Sequence, residues 1–289
     1  MKTLKSNMQP SYEVIDGVKC YAPHLAFENA DYPTGHFNLL FELESKNFWF
    51  RARNNILINV FSKFCRTSNL IKVLEIGCGT GYVLSGLSKF KNFNLFGAEV
   101  YLDGLKYAKQ RLPDIDFLQA DIRSIPFKSE FDAVGAFDVL EHIDEDTKVM
   151  QSVCECLKPG GLFFISVPQH KWLWSSQDET ALHKRRYSRK EIIEKLEKSG
   201  FLLMFVTSFV FTLFPLMFLS RFTRKNKQGF VKSEYSYDEL ILPPIVNSLF
   251  RFFMYVDEAL IKMGFSLPFG GSLLIVARKK HVVNEWCGE

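Results

Sequence analysis

The sequence predicts an α/β protein with a doubly wound, mostly parallel sheet. Three observations support this prediction. The apolar run at residues 73–76 leads directly into three glycines at alternate positions, which is the pattern of a strand that turns into a helix. Short apolar runs then alternate with helical patterns as far as residue 168. The next two strands end at or just before an acid, Glu99 and Asp121, so polar groups are expected to collect at one edge of the sheet.

Length and composition are those of one large globular domain, or of a domain with appendages. The 289 residues are 47% apolar, and 36 basic side chains nearly balance 32 acidic ones. A net charge of +4 is too small to indicate nucleic acid, and no nucleic-acid-binding motif accompanies it. Six scattered cysteines without a C-x-x-C pair indicate neither a zinc site nor a disulfide framework. We recognise no secretory signal and expect a cytoplasmic protein.

The glycine turn is the centre of the predicted site. Gly77, Gly79 and Gly81 permit positive φ and a close approach of a ligand to the main chain, while the following helix offers unpaired N–H groups. They spell G-x-G-x-G, with Tyr82 where the dinucleotide fingerprint requires glycine, so the pattern disfavours a nicotinamide cofactor. Glu75, just before the turn, supplies a carboxylate for a ligand with a cationic amino group.

This stretch resembles motif I of the class I S-adenosylmethionine-dependent methyltransferases. A second resemblance is the lysine-proline-glycine-glycine turn at 158–161, and the shared region runs from about residue 48 to 168. The resemblance implies a Rossmann-like sheet of seven strands whose last strand is antiparallel, with a sixth strand at 202–208 and the last at 272–277. It also implies S-adenosyl-L-methionine as the cofactor and methyl transfer as the reaction.

The same resemblance assigns further residues to the cofactor. Glu99 would accept both ribose hydroxyls, and Asp121 with Ile122 would meet the adenine edge. An arginine of the aromatic and basic segment 48–54 would pair with the cofactor's carboxylate, although two solvated arginines on a helix packed against the sheet are the alternative. The predicted cofactor residues are Arg51, Arg53, Glu75, Gly77, Cys78, Gly79, Gly81, Glu99, Asp121, Ile122 and Phe137.

A candidate general base follows the strand at 131–137. His142 lies at the carboxyl end of the central sheet, and imidazole titrates near physiological pH. A histidine that only shapes this turn is the alternative. Asp138, Glu141 and His142 also resemble the E-x-x-E-H turn of polyprenyl-phenol O-methyltransferases, which hints at a divalent metal. Because aspartate stands where that pattern has glutamate, we predict no metal site.

The segment at 169–188 follows the last shared strand, and loops in this position carry substrate specificity. Trp172 and Trp174 suit a carbohydrate or aromatic face, and His170 and His183 are candidates to contact hydroxyls and take part in catalysis. A tryptophan-anchored loop with a basic rim is the alternative. The segment resembles methyltransferases of bacterial surface-glycan and lipid-linked sugar pathways.

We therefore expect O-methylation of a small, glycan or lipid-linked acceptor, and no nucleic-acid partner. Transfer to carbon or nitrogen of a small molecule is the alternative reaction. A nicotinamide-dependent oxidoreductase and a scaffold that binds the cofactor without turnover are the rival classes.

Residues 1–47 are predicted to form an N-terminal extension with a small hairpin at Asp16-Gly17, and residues 48–280 the methyltransferase domain. Within that domain, 209–269 reads as an apolar and basic helical insertion. Residues 201–219 carry no charge and are long enough to span a membrane, but the strand order argues against a crossing. The insertion would cap the substrate pocket or lie peripherally on the inner face of a membrane.

Overall fold

One sheet runs through the computed structural model, which describes residues 10–27, 35–225 and 241–280. In this part of the chain the sheet has nine strands, in the order β1-β2-β5-β4-β3-β6-β7-β9-β8. They are β1 (Glu13–Ile15), β2 (Val18–Cys20), β3 (Ile71–Ile76), β4 (Phe93–Glu99), β5 (Asp116–Gln119), β6 (Phe131–Phe137), β7 (Leu157–Pro168), β8 (Phe201–Phe209) and β9 (Ser272–Lys279).

Helices cover both faces of this sheet, which makes it a doubly wound α/β fold. Those described are α1 (His36–Leu43), α2 (Phe48–Phe64), α3 (Tyr82–Leu87), α4 (Leu102–Arg111), α5 (Asp146–Cys156), α6 (Ser176–Thr180), α7 (Arg189–Lys198), α8 (Phe214–Lys225) and α9 (Pro244–Met263). One buried apolar cluster joins α2, α3, α4 and α9 to the sheet, and a second joins α5 and α7. On the first face, the rings of Phe61 and Phe164 stack with their centroids 3.9 Å apart.

The sheet has nine strands instead of the predicted seven, because the N-terminal hairpin joins its edge. Asp16 and Gly17 take φ angles of 50° and 71°, the left-handed turn that an Asp-Gly pair favours. Beyond the turn, β2 pairs in parallel with β5 through Lys19 and Cys20. The hairpin therefore covers the edge that β5 would otherwise expose.

The opposite end of the sheet matches the prediction for the last strand. β9 lies between β7 and β8 and is antiparallel to both. Its residues Leu273 to Ala277 are fully buried, which is why the strand reads as an unbroken apolar run. The predicted sixth strand is β8.

Two predicted boundaries were wrong. The lysine-proline-glycine-glycine turn at 158–161 lies inside β7, where the pairing with β6 shifts register and Gly160 takes a φ of 75°. The apolar periodicity of the sequence predicts two helices, at 37–50 and 51–64, but the break between the helices lies at residues 44–47. Asn47 caps α2 by accepting a hydrogen bond from the N–H of Trp49. Arg51 and Arg53 therefore lie in the first turns of one helix.

The segment between β8 and β9 contains α8 and α9, and residues 226–240 of the predicted insertion lie outside the described residues. Asp257 of α9 is fully buried and accepts hydrogen bonds from the N–H groups of Phe211 (2.6 Å) and Thr212 (3.1 Å). This carboxylate fixes α9 to the chain that leaves β8. Among the helices described, none combines the length and apolar character that a membrane crossing requires.

Candidate functional site

The glycine turn follows β3 and takes a conformation that only glycine adopts easily. Gly77, Gly79 and Gly81 have φ angles of 63°, 50° and 74°. A Cβ atom at Gly77 would lie 2.6 Å from Cγ2 of Val139, so the turn after β6 packs directly against the glycine turn. The side chain of Cys78 is buried in the core, where burial raises the pKa of its thiol well above the usual value.

Glu99 ends β4 beside this turn, with its carboxylate buried. It accepts hydrogen bonds from the N–H groups of Gly79 (3.0 Å), Val100 (2.8 Å) and Tyr101 (3.3 Å). Burial raises the pKa of Glu99, and the three N–H groups oppose that rise. The ring of Phe37 in α1 lies close to Gly79. The predicted ribose acceptor and the glycine turn are therefore one hydrogen-bonded unit, next to α1.

Glu75, at the end of β3, is a buried acid with an unsatisfied oxygen. Its Oε2 has no hydrogen-bond partner in the described part of the chain. Burial raises the pKa of Glu75 to about 8, although the nearby charge of Arg53 lowers it. A cationic amino group placed beside this oxygen would restore the ionised carboxylate, so the site is suited to such a ligand.

The structure separates the two candidate arginines of α2. Arg51 is exposed, whereas Arg53 is buried and lies over the ring of Trp49, 5.4 Å from its centroid. Nε of Arg53 is 2.5 Å from Oδ2 of Asp138, an ion pair that does not meet hydrogen-bond geometry. Asp138 also accepts a hydrogen bond from Oγ of Ser166 at 3.0 Å. Only Arg53 reaches the edge of the sheet.

The predicted adenine residues lie after β5. Asp121 caps a short 3-10 turn by accepting from the N–H of Arg123 at 2.9 Å, and its two oxygens also contact Nε of Arg123 at 2.9 and 3.1 Å. Ile122 is buried behind it. Phe137, the last residue of β6, is also buried, and its ring occupies the space that a side chain at Gly135 would need.

A second group of polar side chains lies beyond β6. Glu141 is fully buried, and both of its carboxylate oxygens lack a hydrogen-bond partner within the described residues. Nε2 of His183 is 4.0 Å from Oε1 of Glu141. The rings of His142 and His183 meet edge to face with their centroids 4.8 Å apart. We refer to these three residues, Glu141, His142 and His183, as the histidine cluster.

A buried acid orients the histidine cluster. Oδ1 of Asp178 lies 3.0 Å from Nδ1 of His183 and 2.7 Å from Nε of Arg186. Its Oδ2 accepts from the backbone N–H of Ser175 at 2.8 Å, which closes a capping box on α6. Burial alone would raise the pKa of Asp178, but the hydrogen bond from His183 and the charge of Arg186 hold it at about 2.

Burial moves the pKa values of the other two cluster members in opposite directions. It lowers the pKa of His142 to about 3, with a smaller contribution from His183. It raises the pKa of Glu141 well above the usual range, and the charge of Asp138 adds to the effect. His142 is therefore a neutral imidazole at physiological pH, and too weak a base to hold a substrate proton by itself.

His170 is not part of the histidine cluster. It packs in an aromatic group, 5.1 Å from Trp172 and 5.8 Å from Phe214 between ring centroids. Trp172 also meets Phe218 of α8 at 5.6 Å and is about half exposed. The loop after β7 thus contacts the segment between β8 and β9 through these rings. Of the three predicted catalytic histidines, the structure brings together two.

The metal grouping considered from the sequence is also rearranged. Asp138 contacts Arg53, whereas Glu141 and His142 are joined by His183. One ligand atom from each member of the histidine cluster lies within 4.8 Å of the others. His183 thus takes the place that the sequence hypothesis gave to Asp138.

Comparison with known proteins shows a methyltransferase domain in the central part of the chain. Residues 74–165, from the end of β3 into β7, match the family described as Methyltransferase domain. A probable S-adenosylmethionine-dependent methyltransferase of Mycolicibacterium smegmatis is 27% identical over 163 residues, which are 55% of this chain and 61% of that protein. Residues 74–165 thus carry a methyltransferase domain, and the relatives that match this chain include S-adenosylmethionine-dependent methyltransferases. The match spans about three fifths of the length of that curated relative.

Solved structures share the fold of this chain. A Haloferax volcanii methyltransferase, solved with the Trm112 methyltransferase activator, has a TM-score of 0.54 and 16% identity, and the match covers 86% of this chain and 95% of that one. Phosphoethanolamine N-methyltransferase 2 of Haemonchus contortus, in complex with S-adenosyl-L-methionine, has a TM-score of 0.53 and 20% identity. That match covers 77% of this chain and 52% of the nematode protein.

S-adenosyl-L-methionine is the cofactor of this methyltransferase, and the residues present are suited to it. The glycine turn leaves the main chain open, and Glu75 presents an unpaired buried oxygen to an amino group. Glu99 presents its carboxylate next to the turn. Arg53, held by Asp138, is the described α2 arginine nearest to these acids.

Sequence reasoning missed Asp178, which fixes the ring of His183. It also assigned Glu141 only to a metal turn and did not recognise it as a buried, unpaired acid. One signal was present for Asp178, since Ser175 and Asp178 have the S-x-x-D spacing of a capping box. No spacing rule joins residue 141 to residue 183, because the contact depends on how the loop after β7 folds back over β6.

Proposed function

We propose that this methyltransferase transfers a methyl group to an acceptor hydroxyl placed between the glycine turn and the histidine cluster. The observation that carries the proposal is a continuous line of ionisable side chains. Arg53 contacts Asp138 and lies near Glu75 on one side, and Asp138 lies near Glu141 on the other. An acceptor between them would be close to the cofactor residues and to the histidine cluster at once.

When bound, the cofactor supplies its methyl group as an electrophile on a sulfonium sulfur and leaves as neutral S-adenosylhomocysteine. The protein then has two tasks, which are to hold the acceptor oxygen in line behind the methyl carbon and to remove the hydroxyl proton. His142 is too weak a base for the second task, with a pKa of about 3. We propose that the histidine cluster as a unit promotes the loss of this proton, with Asp178 as a positioning residue that acts through His183.

The acceptor class follows from the aromatic group around His170. Trp172, Phe214 and Phe218 form a partly exposed apolar wall next to the loop that carries His183. Indole and phenyl rings pack against the C–H faces of sugars and against aromatic rings. We infer an acceptor that combines a hydroxylated ring, such as a sugar or phenol, with an apolar portion, as a lipid-linked glycan does.

Incubation with methyl-labelled S-adenosylmethionine and a cellular lipid and glycan extract tests this function. We expect label in an organic-soluble or glycan product, in a methyl ether that resists mild alkaline hydrolysis. Labelling that is released by alkali would indicate a methyl ester, and labelling of amines would indicate nitrogen transfer. Either result would contradict the proposed ether product, and the absence of labelled product in every extract fraction would contradict the acceptor class.

We also propose that α8 and α9 place this methyltransferase on a membrane surface. Ile245, Leu249, Phe252 and Val256 follow one another at helical spacing on α9, and all are exposed, Ile245 to 83%. The C-terminal part of α8 contains Arg221, Arg224 and Lys225 in its sequence, and Lys227 follows outside the described residues. Apolar helices beside a basic segment are typical of interfacial proteins.

Reversal of those four charges to glutamate should weaken pelleting with anionic liposomes, because each basic residue near anionic lipid contributes roughly 1 kcal/mol. Binding by the wild type should also fall as ionic strength rises. Reversal of four exposed lysines elsewhere, Lys89, Lys91, Lys106 and Lys128, is the matched control and should weaken pelleting less. Equal pelleting by both variants, or no pelleting by the wild type, would contradict the proposal.

A further inference from the structure

The histidine cluster brings two imidazoles next to a buried carboxylate. Glu141 is fully buried, and both carboxylate oxygens lack a partner among the described residues. Burial of an unpaired carboxylate is costly, and native proteins relieve that cost with a hydrogen bond, a proton or a cation. The charges of Arg53 and Arg186 act on Glu141, but neither guanidinium is hydrogen-bonded to its carboxylate. Within the cluster, the side chains beside the carboxylate are two imidazoles, so both of its oxygens can still accept a directly bonded cation.

The three side chains converge at distances that suit a metal ion. One nitrogen from each imidazole and one oxygen of Glu141 lie within 4.8 Å of one another, and Nε2 of His183 is 4.0 Å from Oε1 of Glu141. Two imidazoles and one carboxylate bind first-row divalent ions and leave coordination positions open. Ligand atoms at these separations need only a small contraction to bond one ion at about 2.0–2.2 Å.

The surroundings of His183 are those of a metal ligand. Ligating histidines commonly donate their other ring nitrogen to a carboxylate, which fixes the tautomer and the direction of the ring. Nδ1 of His183 has such a partner in Asp178 at 3.0 Å, so Nε2 faces Glu141. Asp178 is itself fixed by Arg186 and Ser175, so the ring is held before any ion binds. His142, half-buried, supplies the second imidazole nitrogen of the group.

We propose that Glu141, His142 and His183 bind one divalent transition-metal ion, of the zinc or manganese type. An open position on this ion would take the acceptor oxygen and lower its pKa, so that the hydroxyl proton passes to water. The oxygen lone pair then forms the bond to the methyl carbon as the carbon–sulfur bond breaks toward sulfur. This catalytic role rests on the proposed methyl transfer, whereas metal binding itself does not.

The metal content of the purified protein tests this proposal and requires no enzymatic reaction. The full chain, stripped with a chelator, is dialysed against Zn²⁺ or Mn²⁺ and then against metal-free buffer, and the retained metal is determined by elemental analysis. We expect about one ion per wild-type chain, and loss of that ion in both Glu141→Gln and His183→Ala. Asp178→Asn should retain the ion with about 10- to 100-fold lower affinity. His170→Ala, a histidine of the same loop outside the cluster, is the matched control and should retain it.

The folding of each variant is checked by circular dichroism and by its affinity for S-adenosylhomocysteine. The variants of Glu141 and His183 should keep the wild-type spectrum and affinity. Absence of metal from the wild type, or equal retention by wild type, Glu141→Gln and His183→Ala, would overturn the proposal. Because these readouts need no acceptor, a failure of metal binding is distinguishable from a failure of the proposed methyl transfer. Methylation of the acceptor by the metal-stripped protein would overturn the catalytic role of the ion and leave the proposed methyl transfer standing.

Discussion

Replacement of Glu99 with alanine is expected to weaken the binding of S-adenosylmethionine by a factor on the order of 100. The carboxylate is proposed to accept both ribose hydroxyls, and two hydrogen bonds to a charged group are together worth roughly 3 kcal/mol. Glu99 also accepts from the N–H of Gly79, so its loss loosens the glycine turn. Isothermal titration calorimetry with the cofactor and with S-adenosylhomocysteine measures the change, and both should weaken together.

Two further variants separate the charge of Glu99 from its structural role. Glu99→Gln keeps one oxygen for Gly79 while it removes the charge, and it should still lose about tenfold in affinity. Asp116→Asn alters an exposed acid at the start of β5, away from the carboxyl ends of the strands, and should leave the affinity unchanged. Cofactor affinity within about twofold of the wild type in Glu99→Ala would show that the ribose is bound elsewhere.

Replacement of His183 with alanine should reduce methyl transfer by a factor of roughly 10² to 10⁴. His183 joins Glu141 to Asp178, so its removal dismantles the histidine cluster while the glycine turn stays intact. The turnover number should therefore fall while affinity for S-adenosylhomocysteine stays within about twofold. Steady-state kinetics with the identified acceptor, together with calorimetry on the same preparations, measures both quantities.

Two control variants test whether the effect is specific to His183, one far from the proposed site and one in contact with His183. His24→Ala changes an exposed histidine near the N-terminal hairpin and should have no effect on turnover. Asp178→Asn still offers an amide oxygen to Nδ1 of His183 and should cause a smaller loss, because Asp178 acts through His183. Full activity in His183→Ala would remove the histidine cluster from the reaction, and a joint loss of folding and cofactor affinity would make it structural.

The parts of the fold that follow local rules could be predicted from the sequence. The Asp16-Gly17 turn, the glycine turn after β3 and the capping of α7 by Ser188 each depend on neighbouring residues. The family resemblance placed the last, antiparallel strand at 272–277, and β9 is that strand. The match to the methyltransferase family confirms the cofactor that the glycine turn predicted.

The features that depend on long-range contacts could not be predicted. Helical periodicity in the first part of the chain did not show that Asn47 starts a new helix, so it could not distinguish buried Arg53 from exposed Arg51. The N-terminal hairpin adds two strands to the sheet because β2 pairs with β5, whose residues lie about 100 positions further along the chain. The contact of His183 with Glu141 likewise joins two loops that share no sequence pattern.

The close packing of Gly77 against Val139 has a consequence for engineering and for divergence of this enzyme. Val139 lies between Asp138, which holds Arg53, and Glu141 of the histidine cluster, and its methyl groups occupy the space that a side chain at Gly77 would need. A substitution that moves the turn at 138–142 to make room for a new acceptor would also displace the main chain of the glycine turn, which is proposed to bind the methyl donor. Changes of acceptor specificity are therefore expected to be tolerated more readily in the loop at 169–188, whose rings touch α8 and leave the glycine turn undisturbed.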